Sequence, residues 1–214
     1  MCGRFVITLP GDEMARLFDA VPDNDLPGGE RFNVCPTQAI MAVSAGRRLR
    51  AMRWGFLPAW YKTPTDGPLI INARSETVAE KPAFRDAVRE RRCLIPASGF
   101  YEWTAGPGGA RLPYYITRAD GGVMVMAGIW QEWQGQASCA VVSTEAGPGM
   151  AGIHDREPVT VAPADWPLWL GEAGKGAAVL MKASAPGILR MHRVGVAVNS
   201  NRAGGAGLIE SVVS

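Results

Sequence analysis

An α+β fold is what this sequence predicts: mixed and antiparallel β-sheets curled into a barrel-like core, with a few helices at its periphery. Three observations carry that reading. Short runs rich in β-branched and aromatic residues recur along the chain, separated by turns of Gly and Pro. Few stretches have helical spacing, and those are short. No internal repeat and no dividing linker interrupts the 214 residues, so a single domain over 1–214 is expected.

The elements follow in chain order. GRFVITL (3–9) is rich in strand formers and runs straight from Cys2. GDEMARLFDAV (11–21) places Met14, Leu17, Phe18 and Val21 at helical spacing, with Asp12 as N-cap. VPDNDLPGGE (21–30) is a loop by composition. AIMAVSA (39–45) and LRAMRWGFLP (49–58) read as strands joined at Gly46. A short apolar run, LII (69–71), leads into helical turns from Ser75, broken at Pro82, and a second helix to Arg92. CLIPASGFYEW (93–103), PYYITR (113–118), VMVMAGIWQEW (123–133) and ASCAVVST (137–144) read as strands. EPVTVAP (157–163) reads as a further strand, ADWPLWLG (164–171) as a short helix, and MHRVGVAVN (191–199) as the last strand.

Composition narrows the function classes. With 47% hydrophobic and 20% charged residues the chain is globular rather than disordered. It has no apolar run of about 18 residues that could span a membrane as a helix. Cys2, Cys35, Cys93 and Cys139 are scattered without a C-x-x-C pair, which argues against a zinc site or a disulfide framework. That usage, with no secretory pattern at the N-terminus, leads to the expectation of a cytoplasmic protein. Net charge is only +2, but 18 of the 22 basic residues are Arg, whose planar fork grips phosphate oxygens. A GC-rich genome explains that bias equally well, so composition leaves nucleic acid open.

The opening MCGRF holds the chemistry. Removal of Met1, routine before a small residue, leaves Cys2 with an α-amine and a thiol on adjacent carbons. These groups titrate near about 7.7–8.0 and 8.5, so both are partly reactive at neutral pH. Such a residue condenses with an aldehyde as a Schiff base and closes a five-membered thiazolidine through sulfur. Lysine cannot close that ring, and an internal cysteine has no amine. Three polar residues in apolar surroundings complete a set suited to carbonyl addition: Asn72 after LII, Glu102 inside GFYEW, and His154 in GIHDR. Two of them also have a plain structural reading, as an ion pair for Glu102 and a loop histidine for His154. A carboxylate that is buried there either finds a partner or holds its proton.

MCGRF, RFNVCPTQ (31–38), RWGFLPAW (53–60), the 33 residues from Ile71 to Trp103, PYYI (113–116), MAGIWQEW (126–133), GIHDREPV (152–159) and VAVN (196–199) resemble the SOS-response-associated peptidase (SRAP) family, in family order over nearly the whole chain. The resemblance implies a sensor of abasic sites in single-stranded DNA. It implies covalent linkage of Cys2 to the ring-opened sugar aldehyde, shielding of the lesion, and autoproteolytic release of the leading residue. It assigns Cys2 as nucleophile, Asn72 as positioner of the sugar or the Cys2 amine, Glu102 as the group that holds or deprotonates that amine, and His154 as proton shuttle. Arg4, Arg74 and Arg156 match phosphate-holding arginines, and Pro36, Trp60 and Trp103 match positions lining the DNA groove. Stacking on aromatics is a common grip on single strands, although tryptophans are also core residues. No metal or cofactor is implied, no membrane, and a monomer is expected.

Two departures stand out. Glu157 replaces a common family methionine beside Arg156, where it either weakens DNA affinity or points away. YKTPTDGP (61–68) lengthens the loop before Asn72. Two rival readings remain at this level. Glutamine amidotransferases of the N-terminal-nucleophile type also begin Met-Cys-Gly, and ammonia release would identify one. A non-catalytic single-strand binding module would keep its binding after Cys2→Ala.

Overall fold

The computed structural model describes residues 2–212. In chain order its elements are β1 (Phe5–Ile7), α1 (Gly11–Phe18), β2 (Val21–Pro22), β3 (Arg31–Val34), β4 (Ala39–Ser44), β5 (Arg48–Trp54) and β6 (Asn72–Arg74). They continue with α2 (Arg85–Glu90), β7 (Arg92–Ala97), β8 (Gly99–Ala105), β9 (Arg111–Arg118), β10 (Met124–Trp133), β11 (Gln136–Glu145), β12 (Arg156–Pro158), α3 (Trp166–Leu170) and β13 (Leu189–Arg193).

Five strands close a barrel in the order β11-β10-β7-β4-β5, with β5 returning to β11. Four of the pairings are antiparallel, and the closing one is parallel, with Ser138 opposite Arg53 and Cys139 opposite Trp54. An odd number of strands cannot alternate direction all the way round, so one neighbouring pair must run parallel. Closure removes exposed edges, and β6 and β12 extend it by pairing with β11. The expected barrel-like α+β architecture is therefore present.

A second, antiparallel sheet has the order β13-β9-β8-β1-β3. It is fastened to the barrel by Phe5, whose ring sits 4.9 Å from that of Trp54. The chain passes between the sheets at Ser98, where the continuous strand expected over 93–103 breaks into β7 and β8. Val6 accepts the Ser98 N–H at 2.8 Å, and the Ser98 hydroxyl accepts the Thr8 N–H at 3.0 Å. The following residue has to be glycine, because a Cβ on Gly99 would lie 2.5 Å from the Ile116 carbonyl oxygen. That corner sends β7 into the barrel and β8 toward the N-terminus.

Other boundaries also differ from expectation. β5 stops at Trp54, because Gly55 turns the chain with φ of 141°. EPVTVAP is strand only to Pro158, continuing as an isolated bridge between Thr160 and Met126. VAVN is one turn of 3-10 helix, not strand. Pro10, not Asp12, is the N-cap of α1; Asp12 lies in its first turn, favourably placed for the helix dipole, and pairs with Arg16.

Candidate active site

The two sheets meet at Cys2. The register of β1 on β8 sets Phe5 opposite Phe100, and the Tyr101 N–H donates to the Arg4 carbonyl at 3.0 Å. Continued by two residues, that register lays Cys2 and Gly3 alongside Glu102 and Trp103. From the barrel side, β6 runs parallel to β11 with Asn72 beside Val141, and Asn72 Nδ2 donates to the Cys2 carbonyl at 3.0 Å. Glu102 thus arrives from one sheet and Asn72 from the other.

Both Cys2 and Glu102 are buried, at 1% and 3% exposure. Burial, and secondarily the charge of Glu102, push the Cys2 thiol well above its ordinary range, so the sulfur carries its proton at neutral pH. Asn72 Oδ1 is also buried, and among the described residues no hydrogen-bond donor reaches it. This leaves an acceptor available next to the Cys2 backbone.

His154 sits on the loop between β11 and β12. Its Nδ1 is 2.9 Å from the Arg156 backbone N–H and 2.7 Å from the Asp155 carboxylate. One nitrogen cannot accept from the first and donate to the second. The backbone N–H is fixed by the start of β12 and can only donate, whereas the Asp155 side chain is 86% exposed. Nδ1 is therefore the acceptor and Nε2 carries the proton. His154 lines two adjoining hollows. One, of about 440 Å³, is lined also by Gly3, Arg4, Glu102, Trp103 and Arg111. The other, of about 770 Å³, is lined also by Arg74, Glu145 and Arg156.

The three arginines singled out from sequence all line these hollows, in different states. Arg74 is exposed. Arg4 donates to Asn33 Oδ1 and the Val198 carbonyl, both at 2.9 Å, and lies 5.9 Å from the Trp103 ring centre. Arg156 has a side chain only 10% exposed and forks onto Glu76 at 2.8 and 3.0 Å, with the Ser143 carbonyl at 2.7 Å. That fork holds the Glu76 carboxyl down at about 2. A phosphate reaching Arg156 would compete with a bidentate partner already in place. Glu157 points away from this pair, as neighbours on a strand do. Its carboxylate accepts the N–H groups of Gly147 at 2.9 Å and Ser184 at 2.6 Å.

Trp103 is half-buried, its indole N–H donating to Asn199 at 2.6 Å and Arg111 stacking over it at 4.7 Å. Trp60 is 60% exposed on the loop after β5, against Tyr61. Pro36 is half-buried in the turn after β3. Neither Pro36 nor Trp60 lines the two hollows among the described residues. The extra loop 61–68 is closed on itself by Asp66, which accepts the Lys62 N–H at 2.6 Å. Sequence reading missed Arg111 and Glu76. Glu76 lies inside the block from Ile71 to Trp103, where an acid so near Asn72 was a usable signal; Arg111 had none, since only the pairing of β8 with β9 carries it to Trp103.

Residues 1–201 match the family described as SOS response associated peptidase (SRAP). The chain is similar to the abasic site processing protein YoaM of Bacillus subtilis, 38% identical over 173 residues that cover 76% of this chain and 75% of that protein. It is also similar to the abasic site processing protein YoqW of the same organism, 32% identical over 225 residues covering 99% and 100%. In fold it resembles a crystal structure of a Bacteroides thetaiotaomicron protein, with a TM-score of 0.87 at 20% identity, covering 99% of this chain and 100% of that one.

Proposed function

The chain belongs to the SOS response associated peptidase family, and from that premise we propose that it captures abasic sites in single-stranded DNA as a covalent adduct of Cys2. What supports the reading is the convergence of Asn72 and Glu102 on a buried second residue, with His154 lining the same hollow as Glu102. The names of the relatives to which it is similar, abasic site processing proteins, point the same way.

The chemistry begins with loss of Met1, which lies outside the described residues, freeing the Cys2 amine. As the abasic sugar opens, the anomeric hydroxyl gives up its proton to become the aldehyde, and the bond from that carbon to the ring oxygen breaks. The ring oxygen takes up the proton while His154 Nε2–H hydrogen-bonds to it. Glu102 accepts a proton from the amine, whose nitrogen then adds to the aldehyde carbon. Water leaves and an imine forms. The thiol sulfur adds to the same carbon while its proton passes to nitrogen, closing the thiazolidine. Burial and the Glu102 charge keep the thiol protonated, so nitrogen attacks first and sulfur second. Asn72 holds the Cys2 carbonyl and offers Oδ1 to the amine or to a sugar hydroxyl. Release of Met1 is assigned to the same thiol: sulfur attacks the Met1 carbonyl, the bond to the Cys2 nitrogen breaks, and water frees methionine.

The test is a denaturing gel with a single-stranded oligonucleotide carrying one abasic site. Wild-type protein is expected to give a heat-stable band of retarded mobility. Cys2→Ser is expected to give none, since a hydroxyl does not close the ring with comparable stability. An equally stable adduct from Cys2→Ser would end the thiazolidine reading.

A further inference from the structure

We propose that Glu157 is the positioning residue for His154, acting through the backbone of the loop that carries the imidazole. Glu157 is 1% exposed, and its two carboxylate oxygens face different segments. One accepts the N–H of Gly147, where the His154 loop leaves β11; the other accepts the N–H of Ser184, on the segment leading to β13. Charge-assisted bonds of this kind are the strong ones, and inside a protein they leave little play.

The rest of the loop is arranged to transmit that restraint. Its base is closed by the Ala146 N–H donating to the Asp155 carbonyl at 2.9 Å. Its middle is plugged by Met150, fully buried, whose carbonyl accepts the N–H groups of Ile153 at 3.0 Å and His154 at 3.3 Å. The Arg156 N–H then fixes the imidazole through Nδ1. Gly147 is wedged where its anchor requires: a Cβ there would lie 3.0 Å from the Ser184 carbonyl oxygen and 3.1 Å from Ala183 Cβ. Thr160 adds a hydroxyl contact to Ser184 at 3.2 Å. Glu157 therefore ties β12, the His154 loop and the 183–184 segment into one body. It touches none of the reacting groups.

The chain contains two histidines, which makes the inference directly readable. His192 bonds the Ile209 carbonyl at 2.8 Å and packs edge-on to Tyr115 in the smaller core, away from Glu157. In Glu157→Gln the amide NH₂ cannot accept, so either Gly147 or Ser184 loses its partner. Imidazole nitrogen NMR spectra of the intact protein should then show His154 shifted or broadened while His192 stays in place. Unmoved His154 resonances in Glu157→Gln would overturn the proposal. If that variant moves both rings, Gly147→Ala is the second test, since it keeps the carboxylate and displaces its partner. Both rings moving there too would make Glu157 a general fold residue and end the proposal.

The kinetic half rests on the function proposed above: reversal of the abasic adduct should slow by about 10- to 100-fold, the scale of a catalytic group misplaced by ~1 Å, with single-strand binding retained. Unchanged reversal with a displaced His154 would overturn the catalytic consequence. Absence of any wild-type adduct would instead end the functional reading, while the NMR comparison still decides how His154 is held.

Discussion

Replacing Glu76 by Gln tests whether the buried arginine of the site is held by charge. Arg156 has a side chain 10% exposed and Glu76 one 40% exposed, and their fork draws the Glu76 carboxyl from its ordinary 4.5 down to about 2. At about 1.4 kcal/mol for each pH unit, that depression sets a ceiling of roughly 3 kcal/mol. The exposed carboxylate end is screened by water, which brings the expected contribution to about 1–2 kcal/mol. A carboxylate with a lowered folded-state pKa stabilises the protein above its unfolded value, and that stability is lost as pH falls through the folded value. The window therefore runs from about pH 5 down to about pH 2. At neutral pH, Glu76→Gln should melt about 2–8 °C below wild type, as expected for a chain of this length. On acidification the two melting temperatures should converge, because wild type loses what the variant never had. Thermal unfolding followed by circular dichroism across that range is the assay. Equal melting temperatures at neutral pH, or a gap that persists at about pH 2, would refute the reasoning.

Arg74→Ala should leave the melting temperature unchanged and lower the salt slope of single-strand binding by about 0.7, whereas Arg4→Ala should also destabilise the fold, because Arg4 bonds Asn33 and Val198; titrations at several salt concentrations with parallel melts separate the two. Glu102→Gln should slow adduct formation and His154→Ala should slow its reversal, measured as time courses forward with abasic DNA and backward against a trap; equal defects in both directions would remove that division of labour. Gly99→Ala should cost about 1–3 kcal/mol through overpacking against the Ile116 carbonyl, and a urea midpoint equal to wild type would show the corner to be looser than drawn.

What the sequence by itself determined is the local chemistry and the number of pieces. MCGRF marked Cys2 as the candidate nucleophile, since the pairing of amine and thiol is a property of one residue at one position. Short runs of β-branched and aromatic residues bounded by Gly and Pro marked most strands, because strands buried on both faces, such as β7 and β11, read as continuous apolar runs. The reading of 93–103 as one strand failed for a reason equally local: nothing in SGF shows that Gly99 must pass against the Ile116 backbone. Only the tertiary structure decided the rest. It closed the barrel through a parallel pairing of β5 with β11, residues more than eighty positions apart. It brought Asn72 and Glu102 to Cys2 from separate sheets, and it sent Glu157 to the loop backbone instead of to Arg156. Partner choice among eighteen arginines and twenty acids is not encoded at short range. Charge pairs form between whichever groups the packing leaves together out of water, and for Arg156 that group is Glu76, eighty residues away.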